Sequence, residues 1–269
     1  MVSLHARTSL VLIALTLTLA PSMIATIPAA DAAPQTAIDQ RAPKTISTDQ
    51  DLNQWLTYYY LHPQPDLVVP ATLLAEKKGY LSSETGGPYM AFLSRIFAQN
   101  PTMVGDWLKQ LDSIPARDKP MLWTAIYWSH TKESAAVLDQ IAKSLPPKSQ
   151  ESLVEQIAKP PEPIEKVTIS SPAVLDMLWG AFFATGDEKY VKRLISVLPW
   201  EAQNKDLIKM QVGASARWSL TSNAEQHAKV LEICQQVRET DPAMRTVLDP
   251  VIEKATKNLA AATATSKNR

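Results

Sequence analysis

The stretch Leu122 to Thr131, LWTAIYWSHT, aligns without a gap to the stretch Leu178 to Asp187, LWGAFFATGD. Both end on a residue that caps helices, since the Thr131 and Asp187 side-chain oxygens can accept from the free N–H groups of a following first turn. Beyond each cap the chain is again helical in period and runs to a proline. Trp107, Leu108, Leu111 and Ile114 lead to Pro115; Leu138, Ile141 and Leu145 lead to Pro146; Val191, Leu194, Ile195 and Leu198 lead to Pro199. Pro115 and Pro146 stand 15 residues after the caps Asn100 and Thr131, whereas Pro199 stands 12 after Asp187, about one turn less. A weaker fourth copy, Trp218-Ser219-Leu220-Thr221, precedes the run Val230 to Val237. Two amphipathic helices joined by so short a turn cannot cover their own apolar faces, so each hairpin needs another packed on it.

The expected fold is therefore all-α, a stack of antiparallel helix hairpins of the α-solenoid type with about 11–12 helices. Proline marks where they begin, because its missing N–H has no intrahelical partner in a first turn. Asn100-Pro101, Ser171-Pro172 and Asp241-Pro242 each set a capping residue before such a proline. Helices are predicted at 49–61, 66–78, 88–99, 101–113, 118–130, 132–145 and 148–158, then at 172–185, 188–198, 204–220, 223–239 and 243–258. Pro250 should kink or restart the last one, with Asp249 as a new cap. The segment Lys166 to Ser170 alternates briefly but has no partner strand, and the Pro-rich stretch 159–171 reads as a linker.

The turn Ala184-Thr185-Gly186-Asp187 and the ending Arg238-Glu239-Thr240-Asp241-Pro242 resemble the inter-helix turn and repeat boundary of tetratricopeptide-type helical repeats. The resemblance spans about residues 90–245, with copies at irregular spacing. It implies stacked hairpins that bind peptides or other proteins.

The N-terminus carries His5 and Arg7, an apolar run from Leu10 to Ala20, and small residues ending at Ala30-Asp31-Ala32-Ala33. This is the layout of a secretory signal, residues 1–32, with cleavage before Ala33. The alternative is an uncleaved anchor over Ser9 to Ala30, which Pro21 and Pro28 interrupt. The chain is expected to be exported, periplasmic or secreted, with no stable membrane span once the signal is removed. Residues 33–47 read as a flexible leader, 48–259 as the helical repeat domain, and 260–269 as a disordered tail.

The 269 residues hold 27 Lys plus Arg against 27 Asp plus Glu, so no basic surplus exists to release counterions from nucleic acid. The one cysteine, Cys234, cannot form an intramolecular disulfide and sits at helical spacing with Val230, Leu231 and Val237, as a small buried hydrophobe would. His62, His130 and His227 show no metal-binding spacing, and seven glycines leave little capacity for phosphate-cradling loops. No catalytic, cofactor-binding or metal-ligating residue is assigned, and no cofactor is expected.

Aromatic residues are the remaining signal. Trp123, Tyr127 and His130 fall on one helical stripe, as do Trp179 and Phe183 in the matching copy, and Tyr58, Tyr59 and Tyr60 are consecutive. They either fill the joints between hairpins or line a concave face that holds an extended peptide. The expected function is a non-catalytic interaction protein, with Tyr127, His130, Trp123, Trp179 and Phe183 toward another envelope protein or a peptide, and without nucleic-acid binding. The alternative is a helical enzyme or a glycan- or lipid-binding protein built around an aromatic-lined cavity. A closed cavity holding a buried carboxyl with a shifted pKa would favour the alternative.

Overall fold

The computed structural model describes residues 42–267 apart from 83–84, 160 and 204. The predicted signal, most of the leader and the last two residues of the tail lie outside the described residues. Among the described residues there are twelve α-helices and no strand. They are α1 (Asp49–Tyr58), α2 (Val68–Lys77), α3 (Gly87–Gln99), α4 (Val104–Gln110), α5 (Lys119–Tyr127) and α6 (Lys132–Ser144), then α7 (Pro147–Ile157), α8 (Pro172–Thr185), α9 (Glu188–Ile195), α10 (Leu207–Gln226), α11 (Ala228–Thr240) and α12 (Arg245–Lys267). Short 3₁₀ turns at Pro65–Leu67, Pro101–Met103 and Pro242–Met244 open α2, α4 and α12. Proline thus starts helices as expected, by way of a tighter first turn.

The caps are selective. Thr48 and Asp51 form a reciprocal capping box on α1, and Thr131 and Asp187 accept from Ser134 and Lys189 at 3.0 Å each. Asn100 and Ser171 make no capping bond, although their helices begin where proline places them. The break expected near Thr221 is absent. Thr221 lies inside α10, its hydroxyl donating to the Arg217 carbonyl at 2.9 Å, and the chain turns instead at His227. Pro250 is carried within α12, which continues through Lys267, past Leu259 where the sequence pattern ends it.

Two apolar cores form. One gathers residues of α1–α6, including Trp55, Tyr59, Phe92, Phe97 and Trp107; the other gathers α8–α12, including Phe182, Tyr190, Leu194, Leu220 and Cys234. They meet where α3 lies along α8, the most extensive helix pair. Ala91 of α3 belongs to the second core and Ala184 of α8 to the first, while Met177 and Phe183 pack against both. Gly180 permits this approach, since a methyl group there would run into the Pro88 carbonyl oxygen and the Phe92 amide. The linker is partly anchored: Ile164 and Ile169 are buried, and Arg193 donates to the Val167 carbonyl at 2.6 Å.

Candidate functional site

Helix α8 carries Asp176, Trp179, Gly180 and Phe183 at i, i+3, i+4 and i+7, so all four lie on one stripe. This stripe forms one wall of an open groove of about 470 Å³. Helix α1 supplies Asn53, Leu56 and Thr57, α3 supplies Pro88, Tyr89 and Phe92, and α10 supplies Trp218, Ser219 and Asn223, with Tyr80 and Thr85 from the α2–α3 connection. Six of these side chains are aromatic. The close α3–α8 contact at Gly180 is what brings Tyr89 and Phe92 beside Trp179.

The aromatic rings are ordered by one another. Trp179 stacks on Phe183 with centroids 5.7 Å apart and meets Phe182 edge-on at 5.8 Å. Tyr89 stacks on Phe92, and its hydroxyl donates to Thr72, whose own hydroxyl proton goes to the Val68 carbonyl. Trp179 is 5% exposed and its indole N–H is buried without a partner among the described residues. Trp218 is the opposite case, 75% exposed at the groove's lip.

Asp176 brings the one formal charge to this lining. Its carboxyl opens to solvent, yet the surrounding apolar groups desolvate it enough to raise its pKa above the ordinary carboxylate value. No hydrogen-bond or ion-pair partner for it exists among the described residues. Ser219, Asn223 and Thr85 direct hydrogen bonds to the backbone carbonyls of Ala216, Ser219 and Gly79. The Ser219 and Thr85 hydroxyl protons are thereby occupied, and one of the two Asn223 amide N–H groups is used.

Behind the groove, Phe183 touches the ring of His227 at 5.3 Å, and Tyr58, Tyr60 and Phe182 complete an aromatic box around it. His227 is 1% exposed, with Nδ1 3.1 Å from the Tyr60 hydroxyl and Nε2 unpartnered. Burial pushes this imidazole down to about 4, so it is neutral near pH 7. The sequence pattern places His227 on the polar part of a helix. It is instead the corner between α10 and α11, which the later end of α10 turns inward.

The residues singled out from sequence separate. Trp179 and Phe183 line the groove, whereas Tyr127 and His130 line a smaller pocket of about 290 Å³ between α5, α6 and α7. Tyr127 donates its hydroxyl to the Lys159 carbonyl, closing α5 against the linker. His130 sits at the α5–α6 turn, exposed, with φ of 58°. Its pKa is lowered by desolvation and by Arg95, with Glu165 opposing, so the charged imidazolium is not favoured at that helix end. Trp123 lines neither space and packs half-buried against the first core. Sequence reasoning missed Asp176 and Trp218. The signal for Asp176 is its place three and seven residues before Trp179 and Phe183; Trp218 is absorbed into the fourth repeat copy.

Cys234 is buried and its thiol pushed up to about 12, as a structural cysteine requires. Among the described residues no group of three His, Cys, Asp or Glu could hold a metal, and no helix is long and apolar enough to cross a membrane. No family model, curated protein or solved structure gives a significant match to the chain.

Proposed function

We propose that this is an exported, non-catalytic binding protein whose α1–α3–α8–α10 groove takes an apolar segment of a partner polypeptide. The observation that carries the reading is the groove's outer wall. On α10 the exposed stripe Leu207, Gln211, Ala214 and Trp218 runs along one face for about 16 Å, at 1.5 Å per residue, and ends in the groove. Leu207, Ile208 and Trp218 are 71%, 56% and 75% exposed. Large apolar side chains left in water beside an aromatic-lined cleft suit an extended occupant that covers both. The groove also offers one carboxylate without a second acid or base beside it, which serves attraction and orientation better than acid–base chemistry.

Two observations favour the small-molecule alternative: the volume falls within the range of pockets that hold drug-sized ligands, and the lining holds a carboxyl, Asp176, with a raised pKa. The groove is open rather than closed, and an exposed stripe with Leu207 at its far end continues beyond it on α10, which supports the polypeptide. We further propose that α5–α6 and α8–α9 are copies of one hairpin unit of tetratricopeptide-like construction, supported by their matched turn residues and caps.

Panning a phage-displayed random heptapeptide library on the immobilised protein tests the function. Enriched sequences should be apolar, and Trp218→Ala should abolish their capture while Tyr127→Ala leaves it intact. Enrichment that survives Trp218→Ala would move the site elsewhere. Signal cleavage is tested by intact mass of the protein recovered from its native host: a start at Ala33 supports export with removal of the signal, and retention of residues 1–32 overturns cleavage in favour of an anchor.

A further inference from the structure

The groove's chemistry is lopsided. Asp176 is its one formal charge, and no Lys, Arg or His is among the residues that line it. The carboxylate has no partner of its own among the described residues, whereas the hydroxyls of Tyr89, Ser219 and Thr85 and one Asn223 amide N–H already donate to protein acceptors. The same groove is lined by Tyr80, Tyr89, Phe92, Trp179, Phe183 and Trp218, aromatic rings whose faces carry negative quadrupole potential. An occupant that seals the groove removes water from Asp176. An apolar or anionic occupant would leave that carboxylate desolvated and unpaired, the costly arrangement, and a neutral donor would leave its charge uncompensated. A cation is attracted twice, by the carboxylate and by the rings.

Resting on the proposed binding function, we propose that the segment taken by the groove carries a basic side chain, Lys or Arg, among apolar residues, seated between Asp176 and the aromatic lining. The raised pKa of Asp176 agrees with a carboxylate held in apolar surroundings until such a group arrives.

Two probes of one shape separate charge from hydrophobicity: benzyltrimethylammonium and its neutral isostere neopentylbenzene, titrated against tryptophan fluorescence. The cation should bind at least tenfold tighter, and Asp176→Asn should bring the ratio near one, by weakening the cation while neopentylbenzene binds at least as tightly as before. Equal affinities in the unaltered protein, or a ratio that survives Asp176→Asn, overturn the cation seat while leaving the groove as an apolar site. Binding of neither probe up to millimolar concentration overturns the groove reading with it. The heptapeptide library then tests the source of the cation. Enrichment of Lys or Arg on the unaltered protein, lost on Asp176→Asn, supports a polypeptide. If benzyltrimethylammonium binds but no peptide is enriched, the polypeptide source is overturned in favour of a free amine. A far-ultraviolet circular dichroism spectrum and melting midpoint for Asp176→Asn close to those of the unaltered chain establish that the variant is folded.

Discussion

The α5–α6 and α8–α9 hairpins share one sequence register and almost one local geometry, yet they do different things. Leu122 and Leu178, Ala125 and Ala181, and Ile126 and Phe182 are matching pairs, and all six are fully buried. His130 and Gly186 occupy the same turn position with φ of 58° and 64°, and Thr131 and Asp187 then cap the helices after them. Among the positions where they differ, one changes how closely a neighbour can approach: α5 has Thr124 where α8 has Gly180. Thr124 turns its hydroxyl back to the Pro120 carbonyl at 2.8 Å, while Gly180 admits the backbone of α3. The helix that can be approached closely became a wall of the groove. The difference teaches that matching local signals give matching helix–turn–helix segments, and that side-chain volume at the contact face decides what packs on them.

Exchanging those two residues should have the largest effect. Gly180→Thr forces α3 and α8 apart and should cost at least about 3 kcal/mol by denaturant unfolding, with loss of groove binding. Thr124→Gly loses helix propensity and should cost only about 1 kcal/mol. Equal costs would remove Gly180 as the deciding position.

The two histidines sharpen the comparison through pH. His227 has a folded pKa of about 4 against an ordinary 6.5, so the unfolded chain binds the proton more readily. Its contribution to stability is complete above pH 6.5, is lost as pH falls from there to about 4, and does not change below. The loss is on the order of 3 kcal/mol. His130 is shifted in the same direction, but at an exposed turn where solvent screens it. Urea unfolding at pH 7, 5.5 and 4 should therefore show a decline that His227→Phe flattens and His130→Gly leaves in place. A decline unchanged by His227→Phe would assign the acid sensitivity to carboxyl groups.

Exchanging the turn residues should have a smaller effect. Gly186→His places a side chain in left-handed backbone, at about 1–2 kcal/mol, and its Cβ would lie 2.7 Å from Tyr60. Tyr60 holds His227, so this variant should also become more acid-sensitive. His130→Gly relieves the same backbone conformation and should change stability by less than about 1 kcal/mol, toward greater stability. Thermal midpoints of the pair measure this asymmetry.

The smallest effect is expected at Asp176. Its folded pKa is raised, so its contribution to stability is fully present below the ordinary value of 3.8 and is lost as pH rises through the folded pKa. At neutral pH the ionised carboxyl is therefore a small burden, and Asp176→Asn should raise the melting midpoint by about a degree or two. The same variant should weaken binding of a cation. A lower midpoint would mean that Asp176 serves the fold rather than a ligand.

The amino-acid sequence by itself determined the helical class and most helix positions. Apolar spacing of three and four residues, prolines at first turns and the caps Thr131 and Asp187 are local signals, and local hydrogen bonding obeys them. It also placed Trp179 and Phe183 on one stripe. Only the tertiary structure decided that Asp176 completes that stripe as a groove wall, and that Trp218 stands at its lip rather than at a repeat turn. Tyr127 and His130 went with a separate pocket, because α5 closes against the linker at Lys159. His227 came inward because α10 runs six residues beyond the end its sequence suggests, from 220 to Gln226. Burial, and with it the pKa of a histidine or an aspartate, depends on which helices meet. For the groove wall that carries Asp176, the deciding feature is the close α3–α8 approach at Gly180, a residue whose role lies in a side chain it does not have.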